Sequence, residues 1–131
     1  MRPSNASNRH KGRTGLDRIA RAIGYSFAGL IAAYRGESAF RQEFWLSVAL
    51  LPAAFWIGRN WLEVVVLIGS LLLVLIVELV NSAIEAAIDR VSLELHDLSK
   101  RAKDLASAAV LLALLLCAGT WLTASWHRFV H

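Results

Sequence analysis

The sequence has one cysteine and two prolines in 131 residues, and only 18% of it is charged. The lone thiol, Cys117, excludes an intrachain disulfide, and its place inside an apolar run makes it a small packing residue. Neither G-x-x-x-x-G-K-[ST] nor G-x-G-x-x-G occurs, so neither a P-loop nor a kinase-type glycine loop is available. His10, His96, His127 and His131 are scattered without zinc-like spacing, and no Ser-His-Asp arrangement stands out. A net charge of +4 invites a nucleic-acid partner, but the cations track the layout of the apolar segments and no nucleic-acid-binding module is present. Residues 1–13 are polar and basic without the apolar region of a secretory signal, so insertion through the chain's own spans is expected.

What the chain has in abundance is apolar side chains, 56% of the total, too many for an ordinary soluble domain. Apolar stretches recur at 44–57, 61–80 and 107–126. The second and third approach the ~20 residues that cross a hydrocarbon core, while the first contains Pro52 and relies on its flanks. The expectation is an all-α membrane protein: a disordered basic segment at 1–15, then one membrane domain at 16–131 with spans near 42–57, 61–90 and 103–127. Ahead of the first span, Leu16, Ile19, Ile23, Phe27, Leu30, Ile31 and Tyr34 recur at helical intervals among charged residues. That pattern predicts an amphipathic helix at about 16–35 lying in the membrane interface, with Gly24 and Gly29 as its weak points.

Of the 14 Lys and Arg residues, eight precede the first span, one (Arg59) falls in the turn after it, four lie between the second and third, and one (Arg128) follows. The positive-inside rule therefore places the N-terminus and residues 81–106 in the cytoplasm, with the 57–61 turn and the C-terminus outside. Trp45, Trp56, Trp61, Trp121 and Trp126 fall toward span ends, as interfacial anchors do. Every acidic residue except Glu63 lies at the cytoplasmic side, which is where chemistry is expected.

The most informative run closes the second span. Glu78, Asn81, Ser82, Glu85 and Asp89 follow i, i+3, i+4, i+7, i+11 spacing and share one helical face. A charge at mid-helix costs roughly 2.5–3.5 kcal/mol on insertion scales, so an intramembrane Glu is a functional candidate by default. Glu78 and Glu85 could be a base and a metal ligand, or two metal ligands, and hard Mg²⁺ favours such carboxylates together with water and phosphate oxygens. The bland alternative is that Glu78 pairs with a cation of a neighbouring helix and fixes packing. Asn81 and Ser82 have the further alternative of interhelical hydrogen bonding. Arg18, Arg101 and Lys103 could neutralise a polyanion, although each also serves as an ordinary topology signal. The run 37–43 reads as a polar connector into the first span, or as a headgroup-level helix whose charges are solvated.

Three blocks resemble a known family: Gly24-Tyr25-Ser26 with Gly29-Leu30; Glu37 with Ala39-Phe40-Arg41-Gln42-Glu43; and 78–90 followed by Glu94, His96, Leu98-Ser99, Arg101-Ala102-Lys103-Asp104 and Ser107-Ala108-Ala109-Val110. The chain resembles the bacterial integral-membrane diacylglycerol kinases from about residue 16 to 126. The resemblance implies a homotrimer in the bacterial inner membrane, each chain having a surface helix and three spans. It implies transfer of the γ-phosphate of MgATP to the primary hydroxyl of diacylglycerol. By resemblance Glu78 is the general base, Asn81 supports the catalytic centre, and Glu37 and Glu85 hold the metal. Arg18, Tyr25, Glu37, Glu85, Glu94, His96, Lys103 and Asp104 match positions around the nucleotide. Arg18, Ala22, Ala39, Arg41, Gln42, Glu43, Glu78 and Ser107 match the lipid side. Undecaprenol kinases are relatives with the same chemistry, but Asn81-Ser82 and Asp89-Arg90 favour diacylglycerol. A non-enzymatic ion pathway is the alternative of a different class; the stretch 64–77, which holds no ionisable group, argues against it.

Overall fold

The computed structural model describes residues 15–91 and 96–131, and these form four helices: α1 (Gly15–Gly36), α2 (Ser38–Ile57), α3 (Trp61–Val91) and α4 (Asp97–Val130). The described residues contain no strand. The expectation of disorder at the N-terminus falls almost wholly outside the described residues, as does the assignment made to Glu94.

α1 runs unbroken through Gly24 and Gly29, with Asp17 in its first turn and Arg35 in its last, where each charge suits the helix dipole. It stops at Glu37, the single residue between α1 and α2 that belongs to neither helix. The polar run 37–43, read from the sequence as a connector or a headgroup-level helix, is helical from Ser38 onward. α2 continues through Pro52 to Ile57. The following turn is closed by a reciprocal cap: Asn60 Oδ1 accepts from the Glu63 amide at 3.0 Å, and Glu63 Oε2 accepts from the Arg59 amide at 2.8 Å. That arrangement gives Glu63 a structural role at the start of α3.

α3 is the central helix. Its buried residues Val64, Leu67, Leu71, Val74 and Glu78 are spaced by three and four, the seam of a coiled-coil-like interface. Half-buried Asn81 and Glu85 extend that same seam. α4 packs along α3 through small residues, with Ala106 and Ala113 buried and Cys117 and Ala124 partly so, which lets the backbones approach. Two interhelical pairs fix an antiparallel register: Lys103 with Asp89 at 2.6 Å near one end, and Trp121 Nε1 donating to Ser70 Oγ at 3.2 Å near the other. Ala54, Ile57 and Leu67, joined by Ala53, Ile68, Trp121 and Ala124, form the compact core where α2, α3 and α4 meet.

α3 and α4 are each long and apolar enough to cross a membrane. In their most apolar windows only 33% and 11% of residues are buried, so most of this surface is left for lipid or other protein rather than for a folded interior.

Gly58 is where this packing is tightest. A Cβ there would lie 2.6 Å from Val64 Cγ2, 3.0 Å from the Ala54 carbonyl oxygen and 3.1 Å from the Val64 amide nitrogen, two of these being backbone atoms that cannot step aside. Gly58→Ala is expected to lower stability by about 1–3 kcal/mol, the usual penalty of overpacking. Gly24→Ala, which meets nothing within 4 Å, is expected to be neutral or stabilising. Unfolding of both variants in detergent checks the contrast.

Candidate functional site

The site begins at Glu78. Its residue is 5% exposed, on the core-facing seam of α3, and it is one of two buried polar or charged residues among those described. Glu37 and Glu85 lie within electrostatic reach of it, and so does Glu43 of α2. Each helix places its carboxylate for a different reason. Glu78 and Glu85 are two turns apart on one face of α3. Glu43 faces α3 from the second turn of α2, and Glu37 sits at the α1–α2 elbow.

Glu37 is in extended conformation (φ −112°, ψ 114°) and occupies the N-cap position of α2, yet its side chain makes no capping bond. Asn81 Nδ2 approaches Glu85 Oε1 at a long 3.5 Å, while Asn81 Oδ1 and Glu43 Oε2 are buried without a hydrogen-bond partner. Four carboxylates and an orphaned amide oxygen at one end of a bundle repel one another and solicit a proton or a hard cation. Among the described residues no three His, Cys, Asp or Glu side chains converge into a closed metal cage. An oxygen-only set of one or two carboxylates suits Mg²⁺, which keeps waters and phosphate oxygens among its ligands.

Two clefts flank this centre. One, of about 590 Å³, lies between α1 and α3; Ser26, Gly29, Ala33, Glu37, Ser82 and Ala86 are among its lining. The second, of about 710 Å³, shares Leu30 and Leu79 with the first and is almost wholly apolar, with Phe40, Phe44, Leu72 and Leu75 in its walls and Tyr34 and Arg35 as its polar members. Two largely apolar clefts, the first edged by Glu37, Ser26 and Ser82, suit an amphipathic ligand.

The remaining sequence-predicted residues are less gathered. Lys103 reaches across from α4 to Asp89, and Asp104 pairs with Lys100 at 3.1 Å on the exposed side of the same helix. His96 caps α4: its Nδ1 accepts from the Leu98 amide at 3.2 Å, which leaves Nε2 as the protonated nitrogen of the neutral ring. Arg18, Ala22 and Tyr25 stand on the exposed length of α1, and Ala39, Gln42 and Ser107 are also exposed. Arg41 directs Nη1 to the carbonyls of Tyr34 and Arg35 at 2.9 and 3.0 Å, an intramolecular use that its sequence position does not announce. Sequence reasoning also missed Tyr34, whose hydroxyl accepts from Trp45 Nε1 at 2.9 Å. The i, i+11 spacing of Tyr34 and Trp45 does follow a helical face, but the elbow at Glu37 breaks that relation.

The family model for prokaryotic diacylglycerol kinase matches residues 24–124. A diacylglycerol kinase of Pseudomonas aeruginosa is 57% identical over 113 residues, covering 86% of this chain and 92% of that protein. One of Escherichia coli is 50% identical over 119 residues, covering 88% and 95%. A more distant one of Helicobacter pylori is 41% identical over 116 residues, covering 88% and 87%.

The Lys103–Asp89 pair separates structure from function. Both side chains are well exposed, at 41% and 58%, and exposed ion pairs contribute only ~0–1 kcal/mol to stability. Lys103→Met should therefore unfold almost as the wild type does; where Lys103 serves the nucleotide, as the resemblance implies, affinity measured by equilibrium binding falls about tenfold or more, as when a charge-assisted hydrogen bond is lost. Unchanged affinity would leave Lys103 as a helix-to-helix tie alone.

Proposed function

The chain belongs to the prokaryotic diacylglycerol kinase family, and from that premise we propose how its residues carry out the reaction. It is an ATP-dependent lipid kinase that transfers the γ-phosphate of ATP to diacylglycerol, giving phosphatidic acid. The observation that carries the mechanistic reading is the burial of Glu78 on the core seam with Glu37, Glu43 and Glu85 around it.

Glu78 accepts the proton of the primary hydroxyl as that oxygen attacks the γ-phosphorus. The bond from the γ-phosphorus to the β–γ bridging oxygen breaks, and ADP leaves. Asn81 supports the centre by engaging Glu85 and by offering its otherwise unpartnered Oδ1. Glu37 and Glu85 hold Mg²⁺, which when bound offsets the negative charge of the phosphates. Arg18, Tyr25, Glu94, His96, Lys103 and Asp104 surround the nucleotide. The free Nε2–H of His96 and the ammonium of Lys103 are donors suited to phosphate oxygens. Ala22, Ala39, Gln42, Glu43 and Ser107 border the acceptor lipid, whose acyl chains run into the apolar cleft that joins the Glu37 cleft at Leu30 and Leu79. Because the glycerol is held at the bilayer surface, positioning does much of the work that a soluble kinase does with a deep pocket.

The same reading assigns α1 to the membrane interface as an amphipathic helix and α2 to a third span, with the N-terminus in the cytoplasm of a bacterial inner membrane. The copy number is three. Large apolar side chains of α3 such as Val65, Leu72 and Ile76 are exposed in the single chain, which supports an assembly in which neighbouring copies or lipid cover them.

Two measurements test this reading. In mixed micelles with Mg²⁺ and ATP, diacylglycerol is expected to be phosphorylated in clear preference to undecaprenol; the reverse preference would keep the chemistry and change the substrate, and transfer to neither would refute the kinase reading. Glu37→Gln and Glu85→Gln are each expected to raise the Mg²⁺ concentration that gives half-maximal activity, and an unchanged requirement would remove the metal-holding role.

A further inference from the structure

We propose that Arg41 is a positioning residue: its guanidinium latches the C-terminus of α1 onto α2 and so holds Glu37 at the angle from which it faces Glu78 and Glu85. The inference rests on the reading of Glu37 as a metal-holding residue.

The last carbonyls of any helix lack amide partners within it, and at the end of α1 they lie beside the first turns of another helix. Arg41 Nη1 donates to two of them, Tyr34 O at 2.9 Å and Arg35 O at 3.0 Å. A cation at a helix C-terminus also complements the dipole. The latch has a second fastening, because Trp45 Nε1 donates to the Tyr34 hydroxyl at 2.9 Å and the Tyr34 ring meets Phe44 edge-on with centroids 5.8 Å apart. Arg41, Phe44 and Trp45 thus all reach back from α2 to the final turn of α1.

Between the two fastened ends lies Glu37. Its amide donates to the Ala33 carbonyl at 2.9 Å as the last bond of α1, and its carbonyl accepts from the Arg41 amide at 3.2 Å as the first of α2. Its own side chain takes no part in either cap. The direction of the Glu37 carboxylate therefore follows the angle between the helices, and that angle is held by Arg41, Phe44 and Trp45. Both bonds come from Nη1, and the shorter lysine side chain keeps the charge but has to reach the same point with its ammonium to replace them.

The test uses the full-length protein in mixed micelles, with Arg41→Lys and Arg41→Ala, and Trp45→Phe as a milder variant should Arg41→Ala fail to fold. Backbone hydrogen–deuterium exchange over residues 30–37 reads the latch, Mn²⁺ binding followed by electron paramagnetic resonance reads the metal site without turnover, and the Mg²⁺ and diacylglycerol dependences of the rate read the consequence. We expect faster exchange, weaker Mn²⁺ binding and a several-fold higher Mg²⁺ requirement in the Arg41 variants, and the same changes with the KM for diacylglycerol unchanged in Trp45→Phe, which loosens the second fastening without touching a residue of the lipid side. In a Glu37→Gln background, Arg41→Lys should raise the metal requirement no further. Unchanged exchange would overturn the latch. Faster exchange with unchanged metal behaviour, or a raised KM for diacylglycerol alone, would overturn the link to Glu37. A Glu37→Gln variant with wild-type metal dependence would refute the underlying reading of Glu37, and the exchange data tell that failure apart from failure of the latch.

Discussion

A carboxylate buried on a helix seam has to be compensated, and the arrangement of this molecule follows from that constraint at Glu78. Along α3 the positions that face the core are filled by Val64, Leu67, Leu71 and Val74, and the next position in the same three-and-four spacing is Glu78. The helix changes from packing to chemistry without changing face. Isolated, an ionised group there would be expensive enough to drive it to neutrality. Surrounded by Glu37, Glu43 and Glu85, with Asn81 Oδ1 orphaned beside them, it becomes part of a concentrated oxygen site that calls for a proton and a hard cation. A base and a metal-dependent phosphoryl donor meet both demands.

Such a site requires rigid walls, and the chain supplies them economically. Small residues on α4 bring it close to α3, and the Asp89–Lys103 and Ser70–Trp121 pairs hold the register from both ends. Gly58 turns α2 back so tightly that no side chain fits. At the opposite end the elbow is made by one non-helical residue, Glu37, which is itself part of the site.

The parts legible in the sequence are those governed by local periodicity. The apolar runs of α3 and α4 announce their helices, and the i, i+3, i+7 spacing of Glu78, Asn81 and Glu85 puts them on one face by helical geometry alone. Asn60 and Glu63 also carry a readable cap signature, though beside an apolar span it signals only a turn. The polar run at 37–43 shows the limit of local pattern: its charges suit a connector and a headgroup-level helix alike, and α2, which starts at Ser38, is anchored by contacts to α1 rather than by a capping side chain. Pairings such as Asp89 with Lys103, or Arg41 with the end of α1, depend on interhelical register and elbow angle, which no local pattern encodes. The groups of residues expected around the nucleotide are split for the same reason: those on α3 are gathered by the seam, while Arg18 and Tyr25 stand on the open length of α1.

The most direct test of the central claim, that Glu78 is the base, is to replace this buried carboxylate without changing its shape. In Glu78→Gln, single-turnover phosphorylation of diacylglycerol should fall by about 10²–10⁴, the usual contribution of a general base, while equilibrium binding of the nucleotide stays near that of the wild type. Turnover close to wild type would contradict the account. So would nucleotide affinity that falls in step with the rate, because Glu78 would then be shaping the nucleotide site rather than taking the proton.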